Sequence, residues 1–114
     1  WISSDSNSVN DYTNDPLCGF MVTNSLWNDL CKGLIQIFQK NFYSTSNMNI
    51  PILIISGKND AASSNGVLAK KLHAFLSNIF DNVAIKLINE ARHEVFTEVN
   101  KDSTYKLFLS FIQK

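Results

Sequence analysis

Two short stretches carry side chains suited to proton-transfer chemistry: Ser56-Gly57-Lys58-Asn59-Asp60 and Ala91-Arg92-His93-Glu94. An imidazole can present one ring nitrogen as a general base while a carboxylate holds its other N–H. Asp60 and His93 are the residue types such a pair needs. Taken singly, each has a bland explanation. Turns favour glycine and aspartate for local hydrogen-bonding reasons, and a lone loop histidine is most simply a solvated or structural residue. Arg92 and Glu94 flank the histidine and are candidates to brace its loop. The two stretches gain meaning together, because each follows a predicted strand at the same edge of one sheet.

That placement depends on the elements around them. Ile50-Pro51-Ile52-Leu53-Ile54-Ile55-Ser56 is a continuous apolar run rich in β-branched residues, the pattern of a strand buried on both faces. Pro51 is tolerated near its start, where the ladder has barely begun. A second strand is predicted over 83–88. Between them, over about 65–80, Val67, Leu68, Leu72, Phe75, Leu76, Ile79 and Phe80 recur on one side of a helix. Ser63 and Ser64 read as caps of that helix rather than as nucleophiles, and His73 on its polar or boundary side reads as structural. A strand–helix–strand crossover of this length is parallel and right-handed. Functional groups gather beyond the carboxyl ends of such strands, so Asp60 and His93 should meet there.

Upstream, Thr23, Asn24 and Ser25 offer cap oxygens ahead of Leu26, Trp27, Leu30, Leu34, Ile37 and Phe38, which predicts a helix over about 25–42. Trp27 and Phe38 are assigned to core packing, with a lipid-facing cap surface as the alternative. Residues 1–22 are rich in serine, asparagine and aspartate and read as irregular structure or short helical turns. A last helix over about 101–113 carries Tyr105, Phe108, Leu109 and Ile112 at helical spacing. Helix, strand, helix, strand, helix is therefore the expected order, an α/β class with parallel strands.

Composition narrows the function. A chain of 114 residues suits one domain. Lysine plus arginine equal aspartate plus glutamate at 10 each, which leaves no basic stripe for nucleic acid. No apolar run approaches the roughly 18–20 residues of a membrane-spanning helix. Cys18 and Cys31 lack paired spacing and read as free thiols. Neither a metal nor a cofactor is expected, since metal-ligand spacing and a glycine-rich phosphate loop are both missing. Two parallel strands with such apolar faces do not make a sheet that stands alone. Another chain, self-association, or further residues of a longer protein could complete it. The start on Trp1 rather than methionine suggests a piece of something longer.

The stretch from Pro51 to Asp60, then Gly66, then Lys86-Leu87-Ile88 with Ala91-Arg92-His93-Glu94, resembles α/β-hydrolases of the lysophospholipase and monoacylglycerol-lipase type, the serine aminopeptidase S33-like family. Asn14-Asp15-Pro16-Leu17-Cys18-Gly19-Phe20, followed by Thr23, looks like that family's segment leaving the cap over the active site. Glu98-Val99-Asn100-Lys101 and the helix after it match its C-terminal helix. The resemblance implies one partial domain over 1–114. Residues 1–45 would leave the cap and form the following helix, and residues 46–114 would form the C-terminal βαβα unit. It also implies that Asp60 is the triad acid and His93 the triad base. Chain order in this fold is nucleophile, acid, histidine, which places the nucleophile upstream of Trp1; no G-x-S-x-G occurs here. Ala61 stands where the family often has proline after its acid. The implied partner is a lipid or small ester substrate, cleaved by the intact protein and not by this chain alone, with a peptidase as the related alternative. Cytoplasmic residence, with or without peripheral membrane contact, is the expected location. From a different class, a non-catalytic binding or assembly module would make Asp60 and His93 coincidental neighbours.

Overall fold

The continuous apolar run does form a strand, β1 (Pro51–Gly57), and it pairs in parallel with β2 (Asn82–Ile88). The register runs from Pro51 opposite Asn82 to Gly57 opposite Ile88, so both strands end level. These are described in a computed structural model covering residues 1–113; Lys114, the last residue of the predicted domain, lies outside the described residues. The remaining elements are α1 (Ser6–Asn14), α2 (Asn24–Ile37), a 3-10 turn at Lys40–Tyr43, α3 (Val67–Leu76) and α4 (Lys101–Ile112). The class is α/β, with two parallel strands joined through α3 as predicted.

Boundaries moved where local chemistry outweighed the apolar pattern. α2 starts as expected, with the Leu26 N–H donating to Thr23 Oγ1 at 3.3 Å. It stops at Ile37 rather than near 42, because the Tyr43 hydroxyl donates to the Ile37 carbonyl at 2.8 Å and the chain tightens into the 3-10 turn. α3 is shorter than 65–80 at both ends. Ser64, Asn65 and Gly66 all take positive φ (51°, 56° and 81°), a left-handed run that no helix can include. The N-cap is Gly66, with no side-chain cap, so neither Ser63 nor Ser64 fills that role; Ser63 lies one turn earlier and accepts the Gly66 N–H at Oγ (3.0 Å) and the Leu68 N–H at its carbonyl (2.9 Å). At the other end the Asn78 amide donates to the Ala74 carbonyl at 2.7 Å and closes the helix early. Residues 6–14, expected to be irregular or single turns, form α1. Asp5 caps it by accepting the Asn7 N–H at 2.9 Å.

Packing is concentrated on one side of the crossover and at the strand ends. Phe75 of α3 meets Phe38 edge-on at 5.2 Å, and Tyr43 bridges Phe75 and Phe80 at 6.3 and 5.6 Å. On the other face Phe96 lies against Tyr105 and Phe108 of α4 at 5.2 and 5.7 Å. Only Ile2, Ala69, Phe80, Ala91 and Val95 are buried among the apolar side chains of the described residues. Trp27 does not join a core: it is 56% exposed, and α2 buries none of its residues. Phe38 is split, 50% exposed yet packed on Phe75. The reason is geometric. α2 touches the 3-10 turn and little else among the described residues, so its apolar stripe has no facing layer. The outer edges of β1 and β2 are likewise unpaired within the described residues.

Candidate active site

The loop after β1 turns sharply enough to bring Asp60 back over the strand ends. The Lys58 N–H donates to the Ile88 carbonyl and the Asn59 N–H to the Ala91 carbonyl, each at 2.9 Å. These bonds continue the parallel ladder past Gly57 and tie the loop after β1 to the loop after β2. Gly57 is where the two loops come closest: a Cβ there would overlap the carbonyl oxygens of Ala91 and Arg92. Only a residue without a side chain permits that approach.

Asp60 is held from its own loop. The Ala62 N–H donates to its Oδ1 at 2.9 Å, and its carbonyl accepts from the Asn65 N–H (2.8 Å) and the Ser63 hydroxyl (3.2 Å). The residue as a whole is 5% exposed. Burial pushes its carboxyl upward, but the Ser63 hydroxyl, His93 and the Ala62 N–H outweigh that push and hold it below the usual carboxylate value. Asp60 is therefore an anion at neutral pH.

His93 Nδ1 lies 3.2 Å from Asp60 Oδ1, across 33 residues of sequence. An ionised carboxylate can only accept, so the proton between them sits on Nδ1, and in the neutral imidazole Nε2 then carries the lone pair. The His93 side chain is 42% exposed against 7% for Asp60, so the pair has a buried acid and an open base. Beside them runs a groove of about 340 Å³, walled by Phe38, Ile54, Ile55, Leu68 and Leu72. A carboxylate–imidazole pair at the mouth of an apolar groove can hold and move a proton next to a hydrophobic ligand.

The histidine loop has supports that the sequence did not announce. Glu98 is fully buried and accepts the Arg92 N–H at Oε1 (2.5 Å). Its Oε2 accepts the Ser4 N–H at 2.9 Å and also the Ser4 hydroxyl. Burial raises the Glu98 carboxyl, and donors from Ser4, Arg92 and Ser3 more than reverse this, so it too lies below its ordinary value. Around it the Glu94 N–H donates to the Ile2 carbonyl (2.8 Å), Arg92 Nη1 to the Ser3 carbonyl (3.3 Å) and the Ser3 hydroxyl to the Thr97 carbonyl (3.0 Å). Arg92 and Glu94 thus brace the loop against the first residues of the chain, not against each other. Trp1 ends up with its ring centroid 4.9 Å from that of His93, tilted by 47°. A serine pair and a glutamate just before a helix look like surface residues in sequence, which is why Ser3, Ser4 and Glu98 escape a search for motifs.

Other expected roles fall away from this site. His73 Nε2 is 3.3 Å from the Val83 carbonyl, a link between α3 and β2. Cys18 and Cys31 are both free thiols. Among the described residues no cluster of histidine, cysteine and carboxylate side chains could hold a metal ion, and no helix is long and apolar enough to cross a membrane.

Parallel strands whose carboxyl-end loops bring a buried carboxylate to an exposed imidazole are an arrangement that an α/β-hydrolase fold can supply. A family model described as serine aminopeptidase, S33, matches residues 1–100, and the chain belongs to that hydrolase family. No curated protein matches it. The two strands and four helices form part of an α/β-hydrolase fold.

Proposed function

We propose that this chain contributes the acid, Asp60, and the base, His93, of a Ser-His-Asp triad to an enzyme that cleaves carboxylic esters of lipids, of the lysophospholipase or monoacylglycerol-lipase type. The observation that carries this reading is the 3.2 Å approach of His93 Nδ1 to a buried, ionised Asp60, which leaves Nε2 as the ring nitrogen not facing the acid. The adjoining groove supports a lipid acyl chain as the occupant, because Phe38, Ile54, Ile55, Leu68 and Leu72 give it an apolar wall beside the polar end formed by Ser56, Ser63, Asp60 and His93. Residues 1–45 lead from a cap to the first large helix, and residues 46–114 carry the acid and base.

In the intact enzyme a serine hydroxyl attacks the ester carbonyl, and His93 Nε2 takes the hydroxyl proton as the new C–O bond forms. The same proton passes to the leaving alcohol as the tetrahedral intermediate collapses to an acyl-enzyme. Water then enters, gives its proton to Nε2, and attacks the acyl carbon; the proton returns to the serine as the fatty acid leaves. Asp60 keeps the imidazole in the Nδ1–H tautomer and stabilises its charged form throughout. The nucleophile precedes the acid in chain order in this fold, and residues 1–114 contain no G-x-S-x-G turn. The chain by itself is therefore inactive, without nucleophile or oxyanion hole.

The test is labelling with a fluorophosphonate probe, combined with turnover of a substrate panel. The isolated chain should remain unlabelled. The intact protein should be labelled at one serine outside residues 1–114, and should hydrolyse monoacylglycerols or lysophospholipids faster than aminoacyl amides. A labelled serine inside this chain would overturn the assignment of roles. Preference for aminoacyl amides would keep the triad and move the substrate to peptides.

A further inference from the structure

Asp60 alone does not account for where His93 sits. The histidine lies on an exposed loop, and its partner bond is at the long end of the hydrogen-bond range, 3.2 Å. The neighbouring backbone, by contrast, is anchored by residues other than Asp60. That anchor is Glu98, a carboxylate with no exposed surface, joined to Arg92 N–H through one oxygen and to Ser4 through the other. A buried carboxylate is costly unless each lone pair finds a donor, and charge-assisted bonds to backbone N–H groups are the strong kind. Here those donors come from segments 88 residues apart in sequence (92 less 4), so the cost is recovered only if the two segments meet.

We propose that Glu98 is a positioning residue for the acid–base pair: its two oxygens clamp residues 1–4 to the loop that carries His93, and the clamp fixes the imidazole both against Asp60 and against the Trp1 indole. One oxygen sets the level of Arg92, the residue before the histidine. The other holds Ser4, and with it the run in which the Ile2 carbonyl accepts the Glu94 N–H on the far side of His93. His93 is thereby pinned through both of its sequence neighbours. The same clamp delivers Trp1, whose ring centroid lies 4.9 Å from that of the imidazole at a tilt of 47°. Glu98 touches none of the reacting atoms and acts through Arg92 and Trp1.

This inference rests on the acid–base reading of Asp60 and His93, and NMR of the histidine rings in the intact protein separates the two. His93→Gln removes the ring in question and so assigns its signals. In the parent chain the His93 Nδ1 proton should be visible as a bonded resonance, with nuclear Overhauser contacts from the imidazole to the Trp1 indole. Glu98→Gln, which keeps the size but presents an N–H₂ group to donors, should abolish both the bonded proton and the Trp1 contacts while the β1 and β2 amide shifts stay within those of the parent. Ser4→Ala, at an exposed position, should weaken the Trp1 contacts severalfold with the fold intact; it decides the matter should Glu98→Gln unfold. Unchanged His93 signals in whichever of these variants remains folded would overturn the positioning role. Asp60→Ala is the control for the underlying reading. If it releases the Nδ1 proton and the Glu98 and Ser4 variants do not, only the clamp fails; if it leaves His93 unmoved, the acid–base pair itself fails.

Discussion

In the proposed acid–base pair, Asp60 and His93 differ by their surroundings as well as by their chemistry. The carboxylate is buried and supplied with donors, so it stays ionised and still; the imidazole is the more exposed partner, and its Nδ1 is the nitrogen that faces the acid. Replacing Asp60 with Asn in the intact enzyme should lower kcat by about 10³–10⁴-fold, with little change in KM, because the amide no longer enforces the Nδ1–H tautomer. Steady-state kinetics on a lipid ester would show it. The two buried carboxylates also make the fold acid-sensitive. Asp60 and Glu98 are both held below their ordinary values, so the stability they contribute is present in full above their unfolded values, about 3.9 and about 4.3. It is lost as pH falls through their lower folded values. The midpoint of chemical unfolding should therefore be steady near neutrality and fall below about pH 4, and it should fall less steeply with Asp60→Asn and Glu98→Gln combined.

At the scale of elements, the site depends on how closely two loops can approach at the ends of β1 and β2. Gly57 makes that approach possible, since a methyl group there would collide with the Ala91 and Arg92 carbonyls. Gly57→Ala should destabilise the chain by about 2–4 kcal/mol, in the range of overpacking at a site that cannot relax, and should drive His93 away from Asp60. Thermal unfolding and the loss of the bonded imidazole proton would report the two effects together. Much of this level was legible in the residues themselves. The run Ile50–Ser56 announces a strand with both faces apolar, and Asp60 and His93 each follow a strand, so their meeting at one sheet edge follows from parallel pairing. What was not legible depends on contacts between distant segments. Glu98 resembles any carboxylate ahead of a helix until Ser4 and Arg92 are seen around it, and α2 ends at Ile37 because of a tyrosine hydroxyl six residues on. α1 has no apolar stripe to reveal it; Asp5 caps it and Ser8 fastens it by donating to the Thr97 carbonyl at 3.0 Å. Ser64 and Asn65 carry side chains common in turns, but nothing in their order foretells that both, with Gly66, turn left-handed.

Over the whole molecule, apolar surface is arranged for more neighbours than residues 1–113 provide. Trp27, Leu30 and Leu34 of α2 are 56%, 46% and 44% exposed, and both sheet edges among the described residues lack partners. Exposed apolar stripes and open strand edges favour association. The isolated chain should sediment as concentration-dependent assemblies. Trp27→Ser with Leu30→Ser should shift these toward monomer while changing stability by about 0.5 kcal/mol or less per site, as expected for side chains that are not packed. The level ending of the two strands has a separate consequence, for inheritance. Gly57 and Ile88 are partners, and the acid and histidine loops leave from that shared line. One residue gained or lost within either strand would shift its loop by about 3.3 Å and turn its side chains to the opposite face. That step is as large as the whole distance between the imidazole and the carboxylate. Descendants of this gene can lengthen or shorten the crossover beyond residue 66, but the spans 51–65, which carry and hold Asp60, and 82–93 can change only in spelling, never in length.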